Sequence, residues 1–598
     1  MVSKAHSYFF TNPKGLVSFR FLLDLLWVGK FDYIWYTFFD HGGIGRCETR
    51  VFPDGHPREG VIYIIMKNER QERWWEARRY TPERLSAARL ALEEVRCGLD
   101  VLEAIRRHPL PGGGYVGKHM LVAIYRQLTE SSEWETDPSL LERIRLKPVR
   151  TLSGVATVTV LTEPYPCPGH CIFCPDEARM PKSYLPDEPG ARRAVEHDFN
   201  PYTQVQSRIE ALQAVGHPTD KIELLVLGGT WSAYSRDYQE WFIQHCFDAM
   251  NEVESARLGE AHHLNEIAHH RNVGLVVETR PDHVDIQEIT WLRYLGVTKV
   301  QMGAQSLDDS ILELNHRGHT VLETRRAVAL LRAAGFKIVL HWMPNLLGAT
   351  PESDRMDFKH LWQDGFCPDE IKIYPTQLLA TAELYNYWQR GEFHPYSTET
   401  LVDLLADIKA TIPPYCRVNR VVRDIPSTDI VAGNKRSSLR LDVQQEMERR
   451  GTRCWCIRCR EVRGQKVDVA TLKLDDLSYE TGESQEHFLS FSTPDDKLAG
   501  FLRLTLPGSE APLTGLADLE GAAIIREVHV YGQSLPVGKE QAGAAQHAGL
   551  GGRLLERAEQ IARQHSFHRM AVISAVGTRK YYLDRGFERG ELYLLKSL

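Results

Sequence analysis

From residue 151 onward the chain alternates short apolar runs with stretches in which apolar residues recur every three or four positions. VATVTVL (155–161), IELLVLGG (222–229), GLVVET (274–279), KVQMGAQ (299–305), KIVLHWM (337–343) and EIKIYPT (370–376) read as strands, with helical periodicity between most of them. Asp285 with Glu288, and Thr320 with Glu323, have capping-box spacing, and Gly296 and Gly335 stand where helices stop. Six strands alternating with helices predict a parallel α/β sheet, either a partial barrel or doubly wound, with its active site at the strands' C-terminal ends. A second alternating stretch has strands at LAGFLRLTL (498–506) and AIIREVHVYG (523–532), then a Gly-rich turn, a helix, a strand (570–575) and a closing helix and strand. Upstream, Thr81 caps a predicted helix with Pro82 at its first position. Its periodicity runs to about Arg107, pauses at PLPGGG and resumes from Lys118 to Leu128. Residues 1–80 are aromatic-rich and irregular, and support no chemistry.

A chain of 598 residues exceeds one core. The expected division is an N-terminal extension (1–80), a helical module (81–150), an α/β sheet domain (151–415), a linker (416–482) and a second α/β domain (483–598). No apolar stretch is long enough to span a bilayer: the run from Leu16 to Trp27 is broken by Arg20 and Asp24. No secretory signal is evident, so the chain reads as cytoplasmic and without a membrane partner. A net charge of −7 does not itself point to nucleic acid, although a local basic surface would suffice.

Cysteine placement changes the picture. Of eleven cysteines, six fall in two tight groups, which in such a chain indicates metal binding rather than disulfides. Cys47, Cys97, Cys246, Cys367 and Cys416 stand alone and read as packing residues. PCPGHCIFCP follows the first strand of the sheet, and its CxxxCxxC spacing puts Cys167, Cys171 and Cys174 on one loop. Three thiolates on a 4Fe-4S cluster leave one iron open, the iron that chelates S-adenosylmethionine in radical enzymes of that class. A zinc loop with a distant fourth ligand is the alternative. Gly228, Gly229 and Thr230, ending the next strand, match the glycine pair that approaches the methionine moiety. Cys454, Cys456 and Cys459 form a CxCxxC loop, read as zinc with a fourth ligand from elsewhere, or as a second iron–sulfur site.

Gln546, His547, Gly549 and Gly551 lie in a QxxGxG turn that opens a helix, a pattern whose backbone N–H groups suit a pyrophosphate. The same pattern marks the coenzyme A site of GNAT acetyltransferases, and VGTRKYYLDRGF resembles their helix beside the thioester, which would place Tyr581 and Tyr582 there. No acidic residue stands where a nicotinamide-binding fold needs one.

Taken in order, KPVRTLSGVA, CPGHCIFCP, LVLGGTW, ETRPDH, NHRGHT, HWMPN, KIYPT, RDIP, REVHVYG, QHAGLG and GTRKYY resemble the catalytic subunit of Elongator in its single-chain bacterial or archaeal form, over about residues 105–598. The resemblance implies a radical S-adenosylmethionine partial barrel, a GNAT fold and an N-terminal helical tRNA-binding module. It implies wobble-uridine 5-carboxymethylation, in which the acetyl methyl carbon of acetyl-CoA becomes attached to uracil C5 and the thioester is hydrolysed. Structural zinc, tRNA and an electron donor are implied too, and self-association is compatible with it. One departure is the cysteine loop, whose first gap is longer in eukaryotic members. Lys372, and less strongly Glu278 and Arg280, lie at strand ends where fold logic points to the active site. RNA contacts fall to Lys118, His119 and Arg126, to Arg143, Arg145, Lys147 and Arg150 if that segment is extended, and to Arg423. A protein lysine acetyltransferase with Glu527 as base and a structural iron–sulfur part is the competing reading; a tRNA-binding scaffold without chemistry is the third.

Overall fold

The structure, a computed structural model, describes residues 79–463, 465, 467–532 and 549–598, with the backbone of five antiparallel strands between residues 7 and 64. The chain forms two compact units, residues 1–135 and 136–598. In the first, α1 (Pro82–Arg96) starts as expected, with the Thr81 hydroxyl accepting the Arg84 N–H at 3.4 Å. The helix does not run unbroken to Arg107. Gly98, at φ +105°, turns the chain, and Asp100 caps a separate α2 (Val101–Arg107) before α3 (Lys118–Glu130).

The second unit is built on a seven-stranded parallel sheet: β1 (Ala156–Leu161), β2 (Lys221–Leu227), β3 (Arg271–Thr279), β4 (Lys299–Gln305), β5 (Lys337–Trp342), β6 (Glu370–Ile373) and β7 (Arg417–Arg420), each beside its predecessor. All six predicted strands are present, and the sheet is the partial barrel rather than the doubly wound form. Thr320 and Glu323 make the full capping box, whereas Asp285 accepts the Glu288 N–H but the Glu288 carboxylate turns away to Ser232. Side-chain alternation explains the lumen. In β2, Ile222, Leu224 and Val226 are buried against the helices, while Lys221, Glu223, Leu225 and Leu227 face the inside of the curve. In β5 and β6, Lys337, His341, Glu370 and Lys372 do the same.

A second seven-stranded sheet follows: β8 (Lys473–Glu480), β9 (Ser484–Ser492), β10 (Leu498–Pro507), β11 (Ala522–Val530), β12 (Arg569–Val572), β13 (Glu588–Arg589) and β14 (Leu594–Ser597), in the order β8-β9-β10-β11-β12-β14-β13. The expected linker 416–482 thus gives residues to both sheets, β7 to the first and β8 to the second. The two sheets are joined by buried ion pairs at the N-terminal end of the barrel strands. Arg526 holds Asp369 at 2.6 Å and Glu486 at 2.7 Å, all three fully or almost fully buried. Burial alone would raise the Asp369 carboxyl, but Arg526 and Arg503 pull it down to about 2.

Candidate active site

The loop after β1 carries the first cysteine group. Its turn is closed by the Cys174 N–H on the Cys171 carbonyl at 3.1 Å, and Cys167 Sγ lies 3.6 Å from Thr230 Oγ1. Gly228 and Gly229 are required by geometry as well as by conformation. They adopt φ of +147° and +92°, and a Cβ on Gly228 would stand 1.8 Å from Thr162 Oγ1. The hydrogen bond from Cys174, with Arg317 and Arg280 close by, pulls the Cys171 thiol down to about 5, which favours the thiolate form.

The two cysteine groups differ in spacing. Cys454, Cys456 and Cys459 are the one group of three possible metal ligands, among the described residues, whose ligand atoms all lie within 4.8 Å of one another. Thiolates on one zinc at ~2.3 Å stand roughly 3.8 Å apart, so this group fits a single ion. No fourth ligand joins the second group among the described residues. Its loop is moored to the barrel's edge: Ile457 N–H donates to the Cys416 carbonyl at 2.9 Å, Glu461 pairs with Arg417, and Val462 N–H reaches Leu498 O at 3.2 Å in the second sheet.

At the C-terminal ends of the barrel strands, Lys372 and Glu278 come together as their positions suggested, with Nζ 3.2 Å from Oε1. Tyr184 donates to the other Glu278 oxygen at 2.8 Å, and His341 lies 4.0 Å from the first. Burial pushes the Tyr184 phenol well up and, with Lys372, the His341 imidazole well down, so both are neutral. Sequence reasoning had missed Tyr184, Arg317 and His341, the last two inside quoted strings but without a role. Arg280 lies against the cysteine loop, its Nη1 2.1 Å from where a side chain on Gly169 would begin. Four buried nitrogens here lack protein partners: Arg280 Nη1, Arg317 Nε and both ring nitrogens of His319. Such atoms suit a bound group with acceptor atoms, as a cluster and S-adenosylmethionine have.

The elements expected to hold acetyl-CoA sit at the other end. Strands β11 and β12 pair in parallel only from Ala522↔Arg569 to Ile525↔Val572, so residues 526–530 have no β12 neighbour. The resulting cleft exposes β11 backbone groups that an amide-bearing arm can satisfy. Gly549, at φ +70°, opens α4 (Leu550–Gln564). Gly551 lies under Tyr581, where a Cβ would approach the phenol oxygen to 2.4 Å, and Tyr582 is buried beside it. Gln546 and His547 lie outside the described residues. The loop 576–578 packs on the start of β3, where a Cβ on Gly577 would stand 2.6 Å from Arg271 Cβ.

One cavity of about 1500 Å³ touches both ends: Cys167, Cys171 and Cys174, then Glu278, His341 and Lys372, then Lys299 and Glu370, then Glu527, Gly549, Gly551, Tyr581 and Tyr582. Its middle is the barrel lumen. Counting ~3.3 Å per residue along the seven residues of β4, the ends lie roughly 20 Å apart. Lys299 bridges Glu223 at 2.7 Å and Glu370 at 2.9 Å across the lumen floor. Glu527 pairs with Lys337 and Arg503, each at 3.0 Å; burial would raise its carboxyl, but those cations hold it far below the usual carboxylate range.

The expected RNA strip is not extended. Arg143 ends a helix (Pro138–Ile144), Lys147 takes a left-handed conformation at φ 52°, and Arg150 closes a 3-10 turn. Arg145 donates from Nε to the Gly216 carbonyl at 2.8 Å, a structural bond. Arg423 is likewise engaged, by Ser183 and by Glu188 at 3.0 Å. In the other unit, Lys118 opens α3, with His119 next to it, and Arg126 is half-buried on the same helix.

Comparison with known proteins agrees with this architecture. Residues 166–359 match the radical SAM superfamily model and 368–449 the radical SAM C-terminal domain. The chain is 43% identical over 456 residues to the tRNA uridine(34) acetyltransferase of Dehalococcoides mccartyi, covering 75% of this chain and 99% of that protein. It is 37% identical to Elongator complex protein 3 of Danio rerio, over 77% of this chain and 87% of that one. The solved structure of archaeal Methanocaldococcus infernus Elp3, lacking its N-terminus, superposes with a TM-score of 0.65 at 38% identity, covering 74% of this chain and 99% of that chain. None of the described helices is long and apolar enough to cross a membrane.

Proposed function

The chain belongs to the family of tRNA uridine(34) acetyltransferases and Elongator complex protein 3, and from that premise we propose that it is a radical S-adenosylmethionine enzyme that modifies the wobble uridine of tRNA. In its finer form the reading is 5-carboxymethyl synthesis, with the acetyl methyl carbon of acetyl-CoA joined to uracil C5 and the thioester then hydrolysed. The observation that carries it is the single cavity joining the cysteine loop to Tyr581 and Gly551.

Cys167, Cys171 and Cys174 would hold the 4Fe-4S cluster, and the Gly228–Gly229–Thr230 turn would receive S-adenosylmethionine; when bound, the two supply the one-electron chemistry that opens a C–H bond. The chain's own residues do the rest. The unpaired edge of β11 and the start of α4 would bind the coenzyme A arm, with Tyr581 and Tyr582 closing over it. The acyl end must then enter the lumen past Glu527 and Lys337, where protein walls limit access to bulk water, as a carbon radical requires. Lys372, paired with Glu278 at the far end, is placed to meet the uracil or the developing charge on it. Zinc at Cys454, Cys456 and Cys459 would act as a pin between the sheets rather than in the reaction.

Acetyl transfer to a protein lysine is disfavoured by Glu527. A general base needs a free carboxylate with a proton affinity near the working pH, whereas this one is buried between two cations. Incubation of anaerobically reconstituted protein with tRNA, S-adenosylmethionine, acetyl-CoA and a reductant should give carboxymethyluridine by nucleoside mass spectrometry. Acetyl-lysine on peptides without any RNA product would replace this reading.

A further inference from the structure

Arg317 is a buried cation, 6% exposed, and no described carboxylate lies within 4.0 Å of it in an ion pair. Its Nη1 lies 3.4 Å from Cys171 Sγ, within reach of an N–H···S bond, and its Nη2 donates to the Gly303 carbonyl at 2.6 Å. Arg280 completes the arrangement. Asp282 fixes it through Nε–Oδ1 at 2.9 Å and Nη2–Oδ2 at 2.9 Å, and Nη2 also donates to the Arg317 carbonyl at 2.9 Å. That leaves Arg280 Nη1 unpartnered and turned toward Gly169, near whose Cβ position Cys171 Sγ lies at 3.7 Å. A buried, unneutralised guanidinium is costly unless an anion faces it. The groups facing this one are sulfurs.

We propose that Arg317, oriented by Arg280 and Asp282, sets the reduction potential of the iron–sulfur cluster by donating to the Cys171 sulfur. The assignment rests on reading the cysteine loop as a cluster site. One-electron reduction, by a low-potential one-electron donor such as dithionite, adds one negative charge to the cluster and no atom. A cation in contact with a ligand sulfur stabilises the reduced form more than the oxidised form, and hydrogen bonds to cluster sulfurs are a recognised determinant of potential. Arg317 therefore makes the cluster easier to reduce.

The test is a redox titration of the reconstituted full chain without S-adenosylmethionine, followed by electron paramagnetic resonance, with iron and sulfide counted in every sample. Arg317→Gln should keep its iron and disfavour reduction about tenfold or more, which for one electron is 59 mV toward negative potential. Arg317→Lys, which keeps the charge and loses the fork, should shift it less. Wild-type protein labelled with ¹⁵N-arginine should show a ¹⁵N coupling to the reduced cluster that Arg317→Lys diminishes, any remainder coming from Arg280; this arm decides the matter if Arg317→Gln does not hold iron. A full cluster with an unchanged potential in Arg317→Gln, or no ¹⁵N coupling in wild type, overturns the role of Arg317. Wild-type protein that takes up no iron overturns the cluster reading beneath it.

Discussion

The two ends of the barrel lumen treat buried charge in opposite ways. At the N-terminal ends of the strands the charges close on one another: Lys299 between Glu223 and Glu370, Glu527 between Lys337 and Arg503, Asp369 on Arg526. At the C-terminal ends Lys372 pairs with Glu278 and Arg280 with Asp282, but Arg317 has no carboxylate partner and Arg280 Nη1 has no protein acceptor. Cations and anions paired with one another make a joint; a buried cation left without a carboxylate suits a receptor. The same sheet thus fixes the second domain with one edge and holds a place for a cofactor with the other.

This contrast breaks most sharply at the cysteine loop. Cys171→Ala should abolish tRNA modification and iron binding while moving the melting temperature of the iron-free protein by no more than about 2 °C. A variant that still modifies tRNA would remove the receptor role. At the opposite end, Asp369→Asn leaves Arg526 and Arg503 short of a buried anion and should cost about 3–5 kcal/mol in denaturant unfolding, with cluster content of the folded protein unchanged. A loss confined to activity would mean the joint is not a joint.

Acid should act on His319 and on Asp369 over different pH ranges, with a smaller effect. Burial, with Arg317 and Arg280, lowers the His319 imidazole to about 3. A depressed histidine contributes stability that is present above its unfolded value near 6.5 and is lost as pH falls below it. Iron-free protein should therefore lose about 2 kcal/mol between pH 6.5 and pH 5 from this group, and His319→Asn should flatten that slope. Asp369 behaves otherwise. Its folded value of about 2 keeps its contribution intact above the unfolded carboxylate range, and that contribution is lost only as pH falls toward 2. The smallest effect is expected at Gly551→Ala, where the added methyl displaces Tyr581. It should raise KM for acetyl-CoA several-fold, leave kcat within twofold, and leave reductive cleavage of S-adenosylmethionine untouched.

The amino-acid pattern made the receptor end legible in outline because its ligands are local: three cysteines in one loop and a glycine pair ending one strand. What completes it comes from Tyr184, Arg317 and His341, whose convergence depends on the curvature of the sheet. The joint was hidden for another reason. Lys337 and Glu370 look like ordinary polar positions in alternating strands and Glu527 like a candidate base, and only the packing of two sheets turns them inward. β7 was missed because RVNR contains one apolar residue and is held by its neighbours rather than by its own pattern. The RIRLKPVR segment is not extended as its charge run suggested: Lys147 and Pro148 bend it, and Arg145 Nε is held by Gly216.

Fate of the acetyl hydrogens tests the central claim, that the two lumen ends serve one reaction, more directly than any variant. With acetyl-CoA carrying a trideuterated methyl group, the reconstituted protein and tRNA should yield 5′-deoxyadenosine containing one deuterium and carboxymethyluridine retaining two. Unlabelled 5′-deoxyadenosine alongside an intact trideuterated acetyl group on any acceptor would contradict it.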